Sequence, residues 1–154
     1  MVAIPFFLMR LGGLFASQAK VKRMRKYMAN IRIVTNNPMA HKKYPHVCEF
    51  LEFPVSGIFQ AARDKIHLGA VLINHPLAGS IKPNESPYKS LVLSCRVGDT
   101  DPDSLSLIEG AVDVLRKMPE KNRQYTPKIL EDFMVIDLDL LQSAIKALPA
   151  NYYL

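Results

Sequence analysis

Between His75 and Ser90 the chain reads His75-Pro76-Leu77-Ala78-Gly79-Ser80-Ile81-Lys82-Pro83-Asn84-Glu85-Ser86-Pro87-Tyr88-Lys89-Ser90. Three prolines forbid a helix here, and one imidazole, two ammonium groups and several hydroxyls and amides crowd into the span. Lys82 and Lys89 supply positive charge, Ser80, Asn84 and Ser90 can bond acceptor oxygens, and Gly79 lets backbone approach a ligand closely. Such a set suits a small anion, a carboxylate or a phosphate. The GxxxxGK[ST] spacing of a nucleotide phosphate loop is absent. His75 reads either as an acid or base or as a turn residue satisfying backbone groups. Tyr88 reads either as a ligand-facing ring or as a buried one with its hydroxyl satisfied. Only Glu85 could orient His75, so no nucleophile-base pair stands out. His41, His46, His67 and His75 lack metal-ligand spacing, and neither a metal nor a cofactor is expected.

A long connection without secondary structure needs a frame to hold it. Ile31 to Thr35 is a β-branched run stopped by Asn36-Asn37-Pro38, a strand followed by a turn, and Pro38 opens a short helix over Met39 to Lys43. Val47 to Phe53 reads as a second strand. Ser56 is a candidate cap for a helix over 56–68, with Ile58, Phe59, Ala62 and Ile66 at helical spacing and Gly69 as its stop. Ala70 to Ile73 reads as a third strand and Ser90 to Cys95 as a fourth, antiparallel to the third because no crossover helix joins them. Asp103 or Ser106 is expected to cap the next helix, whose buried stripe is Leu105, Ile108, Val112 and Leu115. Pro119 to Gln124 is a charged linker, Thr126-Pro127 starts another helix, and Asp137 to Leu148 makes the last. Met134 to Ile136 is readable as a fifth short strand.

This order predicts an α/β domain over 28–154: a mostly parallel sheet of four to five strands in the order 2-1-3-4, its last strand possibly reversed, with helices on both faces. Ligands of such sheets settle at the carboxyl ends of strands where connections diverge. The order 2-1-3-4 would set Thr35, Asn36 and Asn37 beside His75, with the polar loop arching over them. Asn36-Asn37 before Pro38 is also ordinary turn chemistry.

The formal net charge of +6 and pI of 9.4 suggest a nucleic-acid partner until the charges are located. Arg10, Lys20, Lys22, Arg23, Arg25 and Lys26 fall in the first 29 residues, which hold no acid, and the rest of the chain is neutral. A neutral domain offers no broad phosphate-tracking surface, so no nucleic-acid partner is expected. In residues 1–27 an apolar run precedes the basic cluster, the reverse of a secretory signal, and is too short and too charged to span a membrane. The expectation is an extension with no part in the fold, Met28 being the physiological start; an amphipathic surface helix is the alternative. Cys48 and Cys95 lack CxxC spacing and sit in apolar runs, where both are expected to be small buried hydrophobes, and two reduced thiols without an export signal point to the cytoplasm.

The strings Ile33-Val34-Thr35-Asn36-Asn37-Pro38 and His75 to Ser90, with Ser104-Leu105, Ile108-Glu109, Asp132-Phe133 and Ile136-Asp137-Leu138, resemble the GrdX-type proteins encoded beside glycine reductase. The resemblance spans about residues 30–148. Asn74 and Ala70 depart from it, standing where Thr and a second His are expected, and residues 1–27 have no counterpart. It implies a setting in anaerobic amino-acid fermentation, where glycine, sarcosine or betaine is reductively cleaved, and glycine reductase subunits as partners. Two functions follow: a non-catalytic assembly or regulatory protein with an anion-binding loop, or a small enzyme acting on a carboxylate or acyl phosphate through His75.

Overall fold

The computed structural model describes residues 30–79, 81–118 and 123–148, so the expectations for residues 1–27 and for Ser80 lie outside the described residues. β1 (Ile31–Thr35) forms where β-branched residues are densest, and both its faces are buried except at Arg32. Asn37 ends it and starts α1 (Pro38–Lys43): its Oδ1 accepts the Met39 N–H at 2.9 Å, and Pro38 occupies the first helical position, where no amide hydrogen is needed. β2 (Cys48–Phe50) pairs parallel to β1, with Ile33 opposite Cys48 and Thr35 opposite Phe50. It is shorter than the expected Val47 to Phe53.

α2 (Val55–His67) buries Ile58, Phe59, Ala62 and Ile66 as their spacing predicts. Its N-cap is Pro54, without a side-chain bond, rather than Ser56. Gly69 follows at φ +103, where an added Cβ would lie 2.3 Å from the Gly98 nitrogen, so only glycine fits that stop.

β3 (Ser90–Ser94) pairs antiparallel with β1, Thr35 facing Ser90 and Ile31 facing Ser94. Among the described residues the sheet is three-stranded and mixed, in the order β2-β1-β3, not the expected mostly parallel sheet of four or five strands. The expected third strand, Ala70 to Ile73, is reduced to one antiparallel bridge, Leu72 to Leu93, on the outer side of β3. Burial explains the exchange. Leu91, Val92 and Leu93 are fully buried and fill the interior position, whereas Val71 and Ile73 are only half-buried and suit an edge.

Side chains finish that edge. The Asn74 carboxamide takes the place of a peptide in the ladder, accepting the Val92 N–H at 2.7 Å and donating to the Ser90 carbonyl at 3.1 Å. Proline at 76 would in any case have ended the pairing. The outward Leu72 N–H donates to Ser104 Oγ at 2.9 Å, which in turn donates to Asp101. Asp101, not Asp103 or Ser106, is the N-cap of α3 (Pro102–Lys117), and the hydrogen bonds from Ser104 hold its carboxyl below the usual range.

α4 (Pro127–Lys146) is one continuous helix of 20 residues, capped by Thr126. It absorbs both the expected strand at Met134 to Ile136 and the separate helix from Asp137. An apolar stripe of Leu138, Leu141 and Ile145 packed on the sheet rewards a single rod more than a strand of three residues that would have no partner. α2 and α3 cover the sheet face carrying Val34, Leu91 and Leu93. α1 and α4 cover the face carrying Ile31, Ile33 and Val92, so helices lie on both faces. Among the described residues no helix is long and apolar enough to cross a membrane.

Candidate functional site

The end of β1, the start of β3 and the middle of α4 meet at one polar cluster. Thr35 and Ser90 are directly opposite in the β1–β3 register, and their hydroxyl oxygens lie 2.8 Å apart. Ser90 Oγ donates to Asp137 Oδ2 at 2.6 Å and its backbone N–H to Oδ1 at 2.9 Å, while Asn37 Nδ2 donates to Oδ2 at 2.8 Å. The Asn37 amide hydrogen goes to Thr35 Oγ1 at 2.9 Å, and the second carboxamide hydrogen to the Met134 carbonyl at 2.9 Å. The result is a directed chain of donors running into one carboxylate, all of it buried. Ser90 Oγ is buried and donates its proton directly to a carboxylate, without the imidazole that stands between the two in a Ser-His-Asp triad.

Asp137 was missed as a site residue because it lay at the expected start of a helix, where acids are common. The available signal was position: Asp137 is four residues before Leu141 and eleven before Leu148, on the inward stripe of a helix. A carboxylate there has to find buried donors.

Asn36 lies next to this cluster and acts as a clamp. Its Nδ2 donates to the Phe53 and Pro87 carbonyls at 2.9 and 2.8 Å, and its Oδ1 accepts the Lys89 N–H at 2.8 Å. Thr35, Asn37 and Ser90 are therefore brought together, with Asn36 and Lys89 adjoining them. Asn36 holds the residues just before β3, and Asn74 bonds Ser90 and Val92 within it. The carboxyl ends of β1 and of the Ala70–Ile73 segment lie at one end of the sheet, but β3 stands between them, so Thr35, Asn36 and Asn37 are not set directly beside His75 as the order 2-1-3-4 required.

The loop is tied down along its length. Asn84, in the left-handed region at φ +64, donates from Nδ2 to the Leu115 and Met118 carbonyls at 3.1 and 2.7 Å, capping α3. Tyr125 Oη donates to the Glu85 carbonyl at 2.7 Å. Gly79, at φ +110, lies against α4 where a Cβ would come within 2.8 Å of Leu140 Cδ1. Ser86 Oγ bridges the backbone of Tyr88. His75 is exposed, and its Nδ1 accepts the Leu77 N–H at 3.1 Å, the turn role its sequence position allowed. Lys82 is exposed.

Two hollows remain beneath the loop. A small cavity of ≈ 50 Å³ is lined by Phe59, Lys82, Asn84, Tyr88 and Lys89 among others, and a groove of ≈ 520 Å³ runs between Ile73–His75 and α4. Lys89 and Asp137 line both. The Lys89 ammonium is half-buried, and its one hydrogen bond among the described residues is a long one, 3.4 Å, to the Ala78 carbonyl. Burial pushes the ammonium below its ordinary value, and the nearby Asp137 charge partly restores it. A cation held with so little of its hydrogen-bonding capacity used is suited to receive an anion.

The family model for GrdX-like protein matches residues 32–146, from β1 to the last turn of α4. The chain belongs to the GrdX-like protein family. The match takes in Asn36, Lys89, Ser90 and Asp137, so the polar cluster and the loop above it lie within the part of the chain that defines the family. No curated protein and no solved structure matches the chain.

Proposed function

We propose that this family member is a non-catalytic accessory protein of the glycine reductase system, acting in the cytoplasm of an anaerobic amino-acid fermenter and assisting assembly or regulation of the reductase. Family membership supports the association with glycine reductase systems. The observation that carries the ligand part of the reading is the Lys89 ammonium, which opens onto both hollows with a single long protein bond. A small anion there would complete its coordination, and the loop that Asn36, Asn84 and Tyr125 hold in place would report occupancy to a partner.

The geometry of His75 favours this over catalysis. Its ring is exposed and its Nδ1 accepts the Leu77 N–H, the turn-satisfying role rather than that of a positioned acid or base. Affinity capture with the full-length chain from cells expressing the reductase tests the association. A reductase subunit is expected to co-purify, and its consistent absence at native expression levels refutes the accessory role. For the ligand, an anion at a hundred times its Kd should add about 2.7 kcal/mol of stability.

A further inference from the structure

The groove between Ile73–His75 and α4 carries more chemical information than its size. Its cationic group is Lys89, at the end where the loop closes over β3. Asp137 adds a negative charge to the same end, and the far end follows α4 toward Ala144 and Ala147. A phosphate carries more than one negative charge at neutral pH, so one lysine would leave part of it uncompensated beside a carboxylate. A monocarboxylate adds only one charge beside Asp137 and is the less opposed of the two anions.

The remaining wall is apolar. Ile73, Leu140 and Leu148 border the groove, and α4 runs nine residues from Asp137 to its end at Lys146, roughly 13 Å of helix, with Leu148 just beyond. Its ≈ 520 Å³ also exceeds what a lone small ion needs and falls in the range of small-molecule sites. We infer that the groove takes an organic monocarboxylate with a short apolar chain, its carboxylate on Lys89 and Asn74 and its chain along Ile73, Leu140 and Leu148. This rests on the anion-binding reading above and narrows it from carboxylate or phosphate to one class.

The test is calorimetric titration of the full chain with acetate, butyrate, hexanoate, hexylamine and inorganic phosphate. Affinity should rise about twofold to fourfold for each added methylene, the range expected for partly to fully buried CH₂ groups, while hexylamine and phosphate fail to bind. Lys89→Met should weaken every carboxylate at least tenfold. Ala144→Phe, which fills the apolar half, should abolish the gain with chain length yet leave acetate binding in place; far-ultraviolet circular dichroism checks that both variants fold. Phosphate binding more tightly than hexanoate, or equal affinity for acetate and hexanoate, overturns the monocarboxylate assignment while the anion reading survives. Failure of every anion to bind the wild-type chain overturns both.

Discussion

Replacing Asp137 with asparagine changes one atom in the buried cluster and should destabilise the fold by about 2–3 kcal/mol. The carboxylate accepts from Ser90 N–H, Ser90 Oγ and Asn37 Nδ2, and hydrogen bonds to a charged acceptor contribute about 1.5–3 kcal/mol each. In Asp137→Asn the retained oxygen keeps the Ser90 backbone bond. Ser90 Oγ can turn and donate to Thr35, 2.8 Å away, so the Ser90 hydroxyl is rescued, but only by displacing the proton Thr35 donates to it in the wild type. Asn37 is not: its Nδ2 then faces another NH₂, and one buried donor is stranded, which costs on the order of 1–3 kcal/mol beyond the lost attraction, offset in part by no longer burying a charge. Asp137→Ala strands both the Ser90 and Asn37 donors and should cost more, about 4 kcal/mol. For a chain of 154 residues the asparagine variant should melt about 8 °C lower. Urea unfolding monitored by circular dichroism gives the free energy, and Asp139→Asn on the exposed side of the same helix provides a control within about 0.5 kcal/mol of wild type. An Asp137→Asn protein as stable as that control would refute the claim that this carboxylate joins the sheet to α4.

Other perturbations probe the loop and the thiols. Asn84→Ala loses two bonds to the end of α3 and places a Cβ-bearing residue without a polar side chain at φ +64, for about 2–3 kcal/mol by urea unfolding; Asn84→Gly should recover the backbone share of roughly 1 kcal/mol and no more. Gly79→Ala should cost about 1–3 kcal/mol at φ +110, and adding Leu140→Ala should not restore it, because the strain is in the backbone and not in the leucine tip. The half-buried Cys48 thiol is pushed up to about 12 by desolvation, so iodoacetamide at pH 8 should modify the exposed Cys95 well before Cys48, as peptide mass mapping would show. Because the folded chain holds the Cys48 proton more tightly than the unfolded chain, its contribution to stability is intact below about pH 9 and declines as pH rises toward 12; Cys48→Ala should flatten that decline in a pH series of unfolding midpoints.

Local signals were legible where one residue type decides one backbone event. Asn37-Pro38 ends β1 and opens α1, Gly69 stops α2 because no side chain fits against Gly98, and the periodic stripes of α2 and α3 are buried as spaced. The antiparallel direction of Ser90–Ser94 relative to Ala70–Ile73 followed from the missing crossover helix. The polar loop was also legible as one long proline-broken segment, though not which of its polar groups face a cavity and which cap a helix or hold a turn, as Asn84 and His75 do.

Only the tertiary structure decided which apolar run occupies the interior of the sheet. Ala70–Ile73 and Ser90–Ser94 are both apolar enough to be strands, and the choice depends on the faces that α2, α3 and α4 can cover, a competition between segments distant in sequence. The same packing carries α4 through Met134–Ile136 and turns Asp137 from a helix-start acid into the buried acceptor of Ser90 and Asn37. Sequence fixes which backbone groups can turn, cap or stop, because those choices are made within a few residues. Burial is shared across the whole chain, so the partner of Asp137, 47 residues away at Ser90, emerges only when sheet and helix close on each other.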